Sequence, residues 1–266
     1  MTLKLRGRVF ITSEIVAVTG LHIGGSGGAF AIGGVDNPVI KNQINGQPYI
    51  PGSSLRGKMR SLTEKYLGEV TGQPIGNEVE IHTCKNQDAY EACPICNIYG
   101  ISAGGTERNN PIANWPSRLV VRDVPLTPDS AERLQQAKTS LPFTEVKTEV
   151  AIDRVTSQAN LRDIERVPAG AVFGPMELVY SIYDAKDVEW LSVLLDGMDL
   201  LQDDYLGGSG SRGGGKVVFA DLDLMLKRAG DYRSPIHLGH YPTLSDLSQD
   251  FGAVINRIWD ELRNGA

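Results

Sequence analysis

Residues 171–183 read Ala171-Val-Phe-Gly-Pro-Met-Glu-Leu-Val-Tyr-Ser-Ile-Tyr183. They are followed by Asp184-Ala-Lys-Asp-Val-Glu-Trp-Leu-Ser-Val-Leu-Leu-Asp-Gly-Met-Asp-Leu-Leu-Gln-Asp203, a glycine-rich turn, and Lys216-Val-Val-Phe-Ala-Asp-Leu-Asp-Leu-Met225. The first run is rich in β-branched and aromatic residues and predicts a strand. In the second, Val188, Leu191, Leu194, Leu195, Met198 and Leu201 recur at helical spacing, which predicts one helix over 184–203. The third alternates through Val217, Phe219 and Leu222, another strand.

The N-terminal part adds further strands and a helix, with no internal repeat. Residues 3–20 alternate and predict a long strand, bent near Ser13. Val39-Ile40 and Pro48-Tyr49-Ile50 flank an Asn45-Gly46 turn. Pro51-Gly52-Ser53-Ser54 punctuates, and a helix follows to about Gly68, with Ser53 or Ser54 as N-cap and Leu55, Met59, Leu62 and Tyr66 as its apolar stripe. Residues 117–124 predict a strand and residues 128–140 a short helix. Residues 143–156 predict a hairpin arm, and residues 157–170 an irregular charged return. The resulting order is βαββαβ, an α+β fold with a ferredoxin-like (RRM-like) core, whose open sheet face is a familiar RNA platform. The whole chain, 1–266, reads as a single domain. Residues 71–116 lack periodicity and read as an insertion. Residues 227–266 read as a C-terminal extension, a polar segment leading to a helix over 245–264 with Phe251, Val254, Ile255, Ile258, Trp259 and Leu262 on one side.

Composition bounds the function. The chain has 266 residues, 41% hydrophobic and 22% charged, as in an ordinary globular protein. No apolar run is long enough to span a bilayer, so no membrane partner is expected. The N-terminal Met1-Thr-Leu-Lys-Leu-Arg-Gly-Arg8 is polar and does not read as a signal peptide, which points to the cytoplasm. The net charge of −6 argues against a free-standing nucleic-acid binder, though not against a local basic face. Glycine, 30 residues, is over-represented.

Three features carry chemistry. All three cysteines fall in one short window with a histidine: His82-Thr-Cys84, then Cys93-Pro-Ile-Cys96. A CxxC knuckle aims two thiolates at one tetrahedral ion, and His82 with Cys84 completes a closed, structural Zn²⁺ set. Reduced, unbound cysteines in a surface loop are the plainer alternative. Four protein ligands leave no open position, which argues against a free-standing zinc hydrolase. Second, Arg56, Lys58 and Arg60 crowd the first two turns of the first helix, where the macrodipole disfavours cations and favours a bound phosphate. A solvated charged face is the alternative. Third, the loop from Gly207 to Gly215 holds six glycines around Arg212, and its main-chain N–H groups can approach a phosphodiester closely. A flexible turn is the alternative. Asp36 sits in another glycine-rich stretch and is, on its own, as readily a turn-capping carboxylate.

Together these segments resemble the RAMP superfamily of CRISPR proteins, most closely the Csm-type (Cas-seven family) backbone subunits of type III effector complexes. The carriers are Thr19-Gly-Leu-His-Ile-Gly-Gly25, Asp36-Asn-Pro-Val-Ile-Lys41, Tyr49-Ile-Pro-Gly-Ser-Ser-Leu-Arg-Gly-Lys-Met-Arg60, Thr144-Glu-Val-Lys-Thr-Glu149 with Ile152-Asp-Arg154, and Tyr205-Leu-Gly-Gly-Ser-Gly-Ser-Arg-Gly-Gly-Gly-Lys216. The resemblance implies a repeated subunit on a guide RNA, contacting neighbouring copies of itself and other CRISPR effector subunits. It implies that the guide backbone is held by the early loop (His22, Gly24, Gly25), the first helix (Ser53, Ser54, Arg56, Lys58, Arg60) and the glycine loop (Gly208, Ser209, Ser211, Arg212, Gly213). It further implies that the hairpin over about 143–166, with Lys147 and Arg154, is a thumb crossing the guide–target duplex. Asp36 then cleaves the target RNA with Mg²⁺ or another divalent cation, the RNA 2′-OH attacking the adjacent phosphate. A catalytically inert RNA-binding scaffold of the same kind is the alternative. A Cys/His zinc insertion after the first helix occurs in some members.

Overall fold

The structure is a computed structural model that describes residues 3–25, 37–69, 73–75, 79–101 and 115–264. In chain order its first half holds β1 (Gly7–Ala17), β2 (Tyr49–Ile50), α1 (Gly52–Leu67), β3 (Gln73–Ile75), β4 (Val79–Ile81), α2 (Gln87–Ala92), α3 (Pro94–Tyr99), β5 (Leu119–Val121), β6 (Val124–Pro125) and α4 (Pro128–Gln136). The second half holds β7 (Glu145–Ile152), β8 (Ala159–Arg166), β9 (Val172–Ile182), α5 (Ala185–Glu189), α6 (Leu191–Asp203), β10 (Val217–Arg228), β11 (Asp231–Thr243) and α7 (Leu244–Asn264).

The chain is a mixed α/β fold built on one antiparallel sheet ordered β11-β10-β1-β9-β5. β1 lies at its centre, and burial alternates along it because one face is covered by helices. Val9, Ile11 and Ile15 point into the core with the α6 stripe of Leu191, Leu194, Met198 and Leu201. The register of β1 against both neighbours shifts at Ser13, the position where the sequence predicts a bend. One end of the uncovered face is acidic, while Arg8 and Lys227 stand toward the other end. A cavity of about 400 Å³ at the acidic end is lined by Glu14, Asp129, Asp221 and Asp223, a poor surface for phosphate.

Several expectations need correction. α1 is preceded by Pro51, whose side chain cannot cap, and Ser53 and Ser54 lie inside its first turn. The first N–H of the helix is met instead from outside it, Gly52 donating to Asp123 Oδ1 at 2.8 Å. Tyr66 is 61% exposed, because the stripe drifts around the helix and Thr63 and Glu64 are buried in its place. The helix expected over 184–203 breaks at Trp190 into α5 and α6. Residues 157–170 are not irregular: β8 pairs with β7 from Glu145↔Arg166 to Ile152↔Ala159, a free-standing hairpin. Its charged side chains flank an exposed ribbon, so polarity there reports exposure and not loss of strand. The polar segment after residue 227 is β11, an edge strand whose exposed residues need no apolar character.

The cysteine-bearing segment also packs into the core, although its sequence reads as too polar to do so. Ile95, Ile98, Tyr90 and Tyr99 are almost fully buried. Buried Arg118 links it to the sheet, donating to Asp187 Oδ1 at 2.8 Å and to the Tyr90 hydroxyl at 3.1 Å. Asp187 caps α5 in turn by accepting from the Tyr183 and Asp184 N–H groups.

Candidate nucleic-acid interface and metal centre

The early loop, the glycine loop and the base of the hairpin converge on His22. The Gly208 N–H donates to the His22 carbonyl at 2.8 Å, and the Gly215 N–H to the Gly20 carbonyl at 3.0 Å. His22 Nδ1 lies 2.7 Å from the Glu165 carbonyl, so it carries the proton and donates. Gly207 has φ +78°, and a Cβ there would stand 2.1 Å from the His22 carbonyl oxygen, so only glycine fits. Ser209 also adopts positive φ and starts the single 3₁₀ turn that carries Ser211 and Arg212 and ends at Gly213. Arg212 is exposed and lies 3.8 Å from the Glu149 carboxylate of β7. Lys147 sits beside the same Glu149 at 3.1 Å, and Arg154 is exposed on the hairpin turn.

Glu165 is the buried node under this arrangement. Its Oε1 accepts from Lys41 Nζ and from the Thr144 hydroxyl, both at 2.5 Å, and its Oε2 from the Val39 N–H at 2.9 Å. Burial pushes its carboxyl up, but Lys41, Thr144 and Val39 outweigh that and hold it below the ordinary carboxylate value. Asn37 bridges Ile164, Val39 bridges Gly24, and the Gly25 N–H donates to the Pro38 carbonyl. Asp36 itself lies outside the described residues.

The basic residues of α1 divide between two tasks. Lys58 faces the glycine loop, 2.8 Å from Asp204 and 3.7 Å above the Tyr205 ring. Arg56 and Arg60 face the cysteine segment instead. Arg56 donates to the Tyr99 carbonyl, and burial lowers its pKa. Arg60 donates to the carbonyls of Gly100 and His82 at 3.1 and 2.7 Å and pairs with buried Glu64 at 2.7 Å. These three carbonyl contacts were not legible in the sequence, since the carbonyls lie 22 to 43 positions downstream in a segment without periodicity.

His82, Cys84, Cys93 and Cys96 bring one ligand atom each within 4.8 Å of one another. His82 Nε2 lies 3.3 Å from Cys93 Sγ and 3.6 Å from Cys84 Sγ. Zn–S and Zn–N bonds at a tetrahedral angle put nitrogen and sulfur about 3.6 Å apart, so the spacing fits a four-coordinate ion. The Cys84 and Cys96 N–H groups donate to the sulfurs of Cys96 and Cys93. A hydrogen bond from Cys96, with its N–H and His82, holds the Cys93 thiol down at about 5 despite burial. Burial pushes Cys84 up to about 12, and the bond to Cys93 followed by burial raises Cys96 well above the thiol range. One thiolate is thus present beforehand, and a cation would have to displace the other thiol protons.

The RAMP superfamily matches residues 14–218 of the chain. The Csm3 endoribonuclease of Methanothermobacter thermautotrophicus is 37% identical over 92% of this chain and 98% of its own length. That of Methanocaldococcus jannaschii is 36% identical over 97% and 96%. Among solved structures, a Csm3–Csm4 subcomplex of the type III-A interference complex aligns at 30% identity with TM-score 0.59, covering 94% of this chain and 98% of that one. Csm3 of Methanopyrus kandleri, at 22% identity and TM-score 0.62, shows the same fold over 95% and 98%. The chain belongs to the RAMP superfamily and, within it, to the Csm3 family.

Proposed function

We propose that the chain is a guide-RNA-binding backbone subunit of a type III CRISPR effector complex and cleaves the complementary target RNA. The observation that carries this is the convergence at His22 and Glu165. There the glycine loop, the early loop, the segment following Asp36 and the hairpin base are joined by hydrogen bonds. Ser209, Ser211 and Arg212 of the glycine loop, with His22, Gly24, Gly25, Ser53, Ser54 and Lys58, hold the guide backbone, which positions RNA without reading its sequence.

The hairpin is the thumb. Val150, Ile152, Val155 and Leu161 are more than half exposed on it, an apolar ribbon suited to stacking against bases and not to solvent. Lys147 and Arg154 neutralise phosphates along it. Asp36 acts on the target. A divalent cation such as Mg²⁺ held by its carboxylate would stabilise charge on the scissile phosphate. The 2′-OH attacks the adjacent phosphorus, the bond to the 5′-oxygen breaks, and a 2′,3′-cyclic phosphate and a 5′-hydroxyl result.

β10-β1-β9-β5, with α1 and α6 as crossovers, is read as the ferredoxin-like core, and the cysteine cluster as a structural Zn²⁺ insertion. The closed ligand set opposes a hydrolytic zinc. The partners are guide RNA, target RNA, neighbouring copies of the chain and other effector subunits, and the compartment is the cytoplasm. No helix among the described residues is long and apolar enough to cross a membrane.

The test is co-expression with a guide array and the other subunits, then incubation with complementary RNA with and without Mg²⁺. Asp36→Ala should preserve assembly and target binding and reduce cleavage by orders of magnitude. A 2′-deoxy nucleotide at the cut site should block wild-type cleavage there. Wild-type rates from the Asp36→Ala complex would make the chain an inert scaffold.

A further inference from the structure

We infer that Glu69, just past the end of α1, is the positioning residue that makes His82 a ligand through Nε2 and joins the metal centre to the first helix. This rests on the reading of the Cys/His cluster as a metal site. A histidine presents one nitrogen to a metal only if the other is held as a donor. Here the two ring nitrogens face different chemistry. Nε2 looks at sulfur, 3.3 Å from Cys93 and 3.6 Å from Cys84. Nδ1 looks at carboxylate, 3.4 Å from Glu69 Oε2. With the proton on the Nδ1 that faces this carboxylate, the Nε2 lone pair is left for the cation. A carboxylate behind the ring also raises the basicity of the ligating nitrogen.

The main chain supports the same orientation. Arg60, two turns earlier on α1, holds the His82 carbonyl at 2.7 Å and the Gly100 carbonyl at 3.1 Å, while Glu64 fixes the guanidinium at 2.7 Å. His82 is thus gripped at its ring by the end of α1 and at its backbone by the middle of α1. The helix offered to the guide RNA and the metal centre form one mechanical unit, which explains why Arg60 faces away from the glycine loop.

Purified full-length chain is stripped of metal, and Zn²⁺ affinity is measured by competition with a chromophoric chelator. Glu69→Ala should still bind one Zn²⁺ at saturation but about 10–100-fold more weakly. Glu69→Gln, whose amide oxygen still accepts from Nδ1–H, should recover part of the loss. Glu91→Ala, which removes an acidic side chain elsewhere in the same segment, should leave affinity unchanged. In ¹¹³Cd-substituted wild-type protein, the metal should couple to His82 Nε2. Wild-type affinity in Glu69→Ala, or coupling to Nδ1, would overturn the inference. Wild-type protein that binds no Zn²⁺ would instead overturn the metal reading beneath it.

Discussion

Glu165 of β8 and Lys41 meet at 2.5 Å, so the base of the hairpin holds the segment that follows Asp36 through a largely buried ion pair. Lys41 lies 124 positions away in sequence and supplies the only cation at that carboxylate among the described residues. Thr144 and the Val39 N–H complete the carboxylate's partners.

Removing that carboxylate leaves an ammonium and a backbone N–H without their acceptor. Glu165→Ala should cost roughly 2–4 kcal/mol of stability, or about 5–10 °C in Tm. Because the folded carboxyl is held below its ordinary value, its contribution is complete above the unfolded value of about 4.3 and is lost as pH falls through the lower folded value. Thermal unfolding from pH 7 down to pH 3 should therefore bring wild type and Glu165→Gln together. A gap that stays constant with pH would remove the ion pair as its cause.

Metal uptake by the cysteine cluster should release about two protons per ion near neutral pH. Cys93 is held at about 5 and is already a thiolate, whereas Cys84 and Cys96 are pushed above neutrality and must each lose a proton. Affinity should accordingly rise with pH. Calorimetry of Zn²⁺ binding in buffers of different ionisation enthalpy counts the protons. Release of none would contradict the raised values for Cys84 and Cys96.

How far the sequence shows this fold depends on whether the signal is local. The β1 bend at Ser13, the α6 stripe and the α7 stripe are periodic patterns confined to their own elements, and each is matched by the element found there. β8 and β11 escaped because an exposed ribbon and an edge strand carry polar residues on their free sides. At the site, cysteine spacing alone brings His82, Cys84, Cys93 and Cys96 together. The pairing of Arg60 with the His82 carbonyl and of Glu165 with Lys41 is set by tertiary contact, and no spacing rule reaches it.

Two glycines should respond oppositely to alanine. Gly207 has φ +78° and the His22 carbonyl 2.1 Å from any Cβ, so Gly207→Ala must displace the early loop and should impair both stability and guide retention. Gly57 sits within α1 with open space where its Cβ would point. Gly57→Ala should raise stability by roughly 0.5–1 kcal/mol through helix propensity. Denaturant unfolding of both variants decides the matter, and similar midpoints would refute the contrast.

Lys58 and Arg60 lie two residues apart on α1 and should separate binding from stability. Lys58 faces Asp204 and the Tyr205 ring beside the glycine loop, and its contact with Asp204 is a partly exposed pair that a phosphate can replace. Lys58→Ala should leave Tm within about 2 °C, weaken guide RNA of any sequence, and flatten the slope of log affinity against log salt by about one unit. Arg60→Ala removes three hydrogen bonds around the cysteine segment and leaves Glu64 buried without its cation. It should lower Tm and metal retention together while the salt slope stays near wild type. Filter binding across 50–300 mM salt, paired with thermal unfolding, distinguishes them. If Arg60→Ala flattened the salt slope as much as Lys58→Ala, its guanidinium would be a phosphate ligand after all, and its bonds to the His82 and Gly100 carbonyls would have to open when RNA binds.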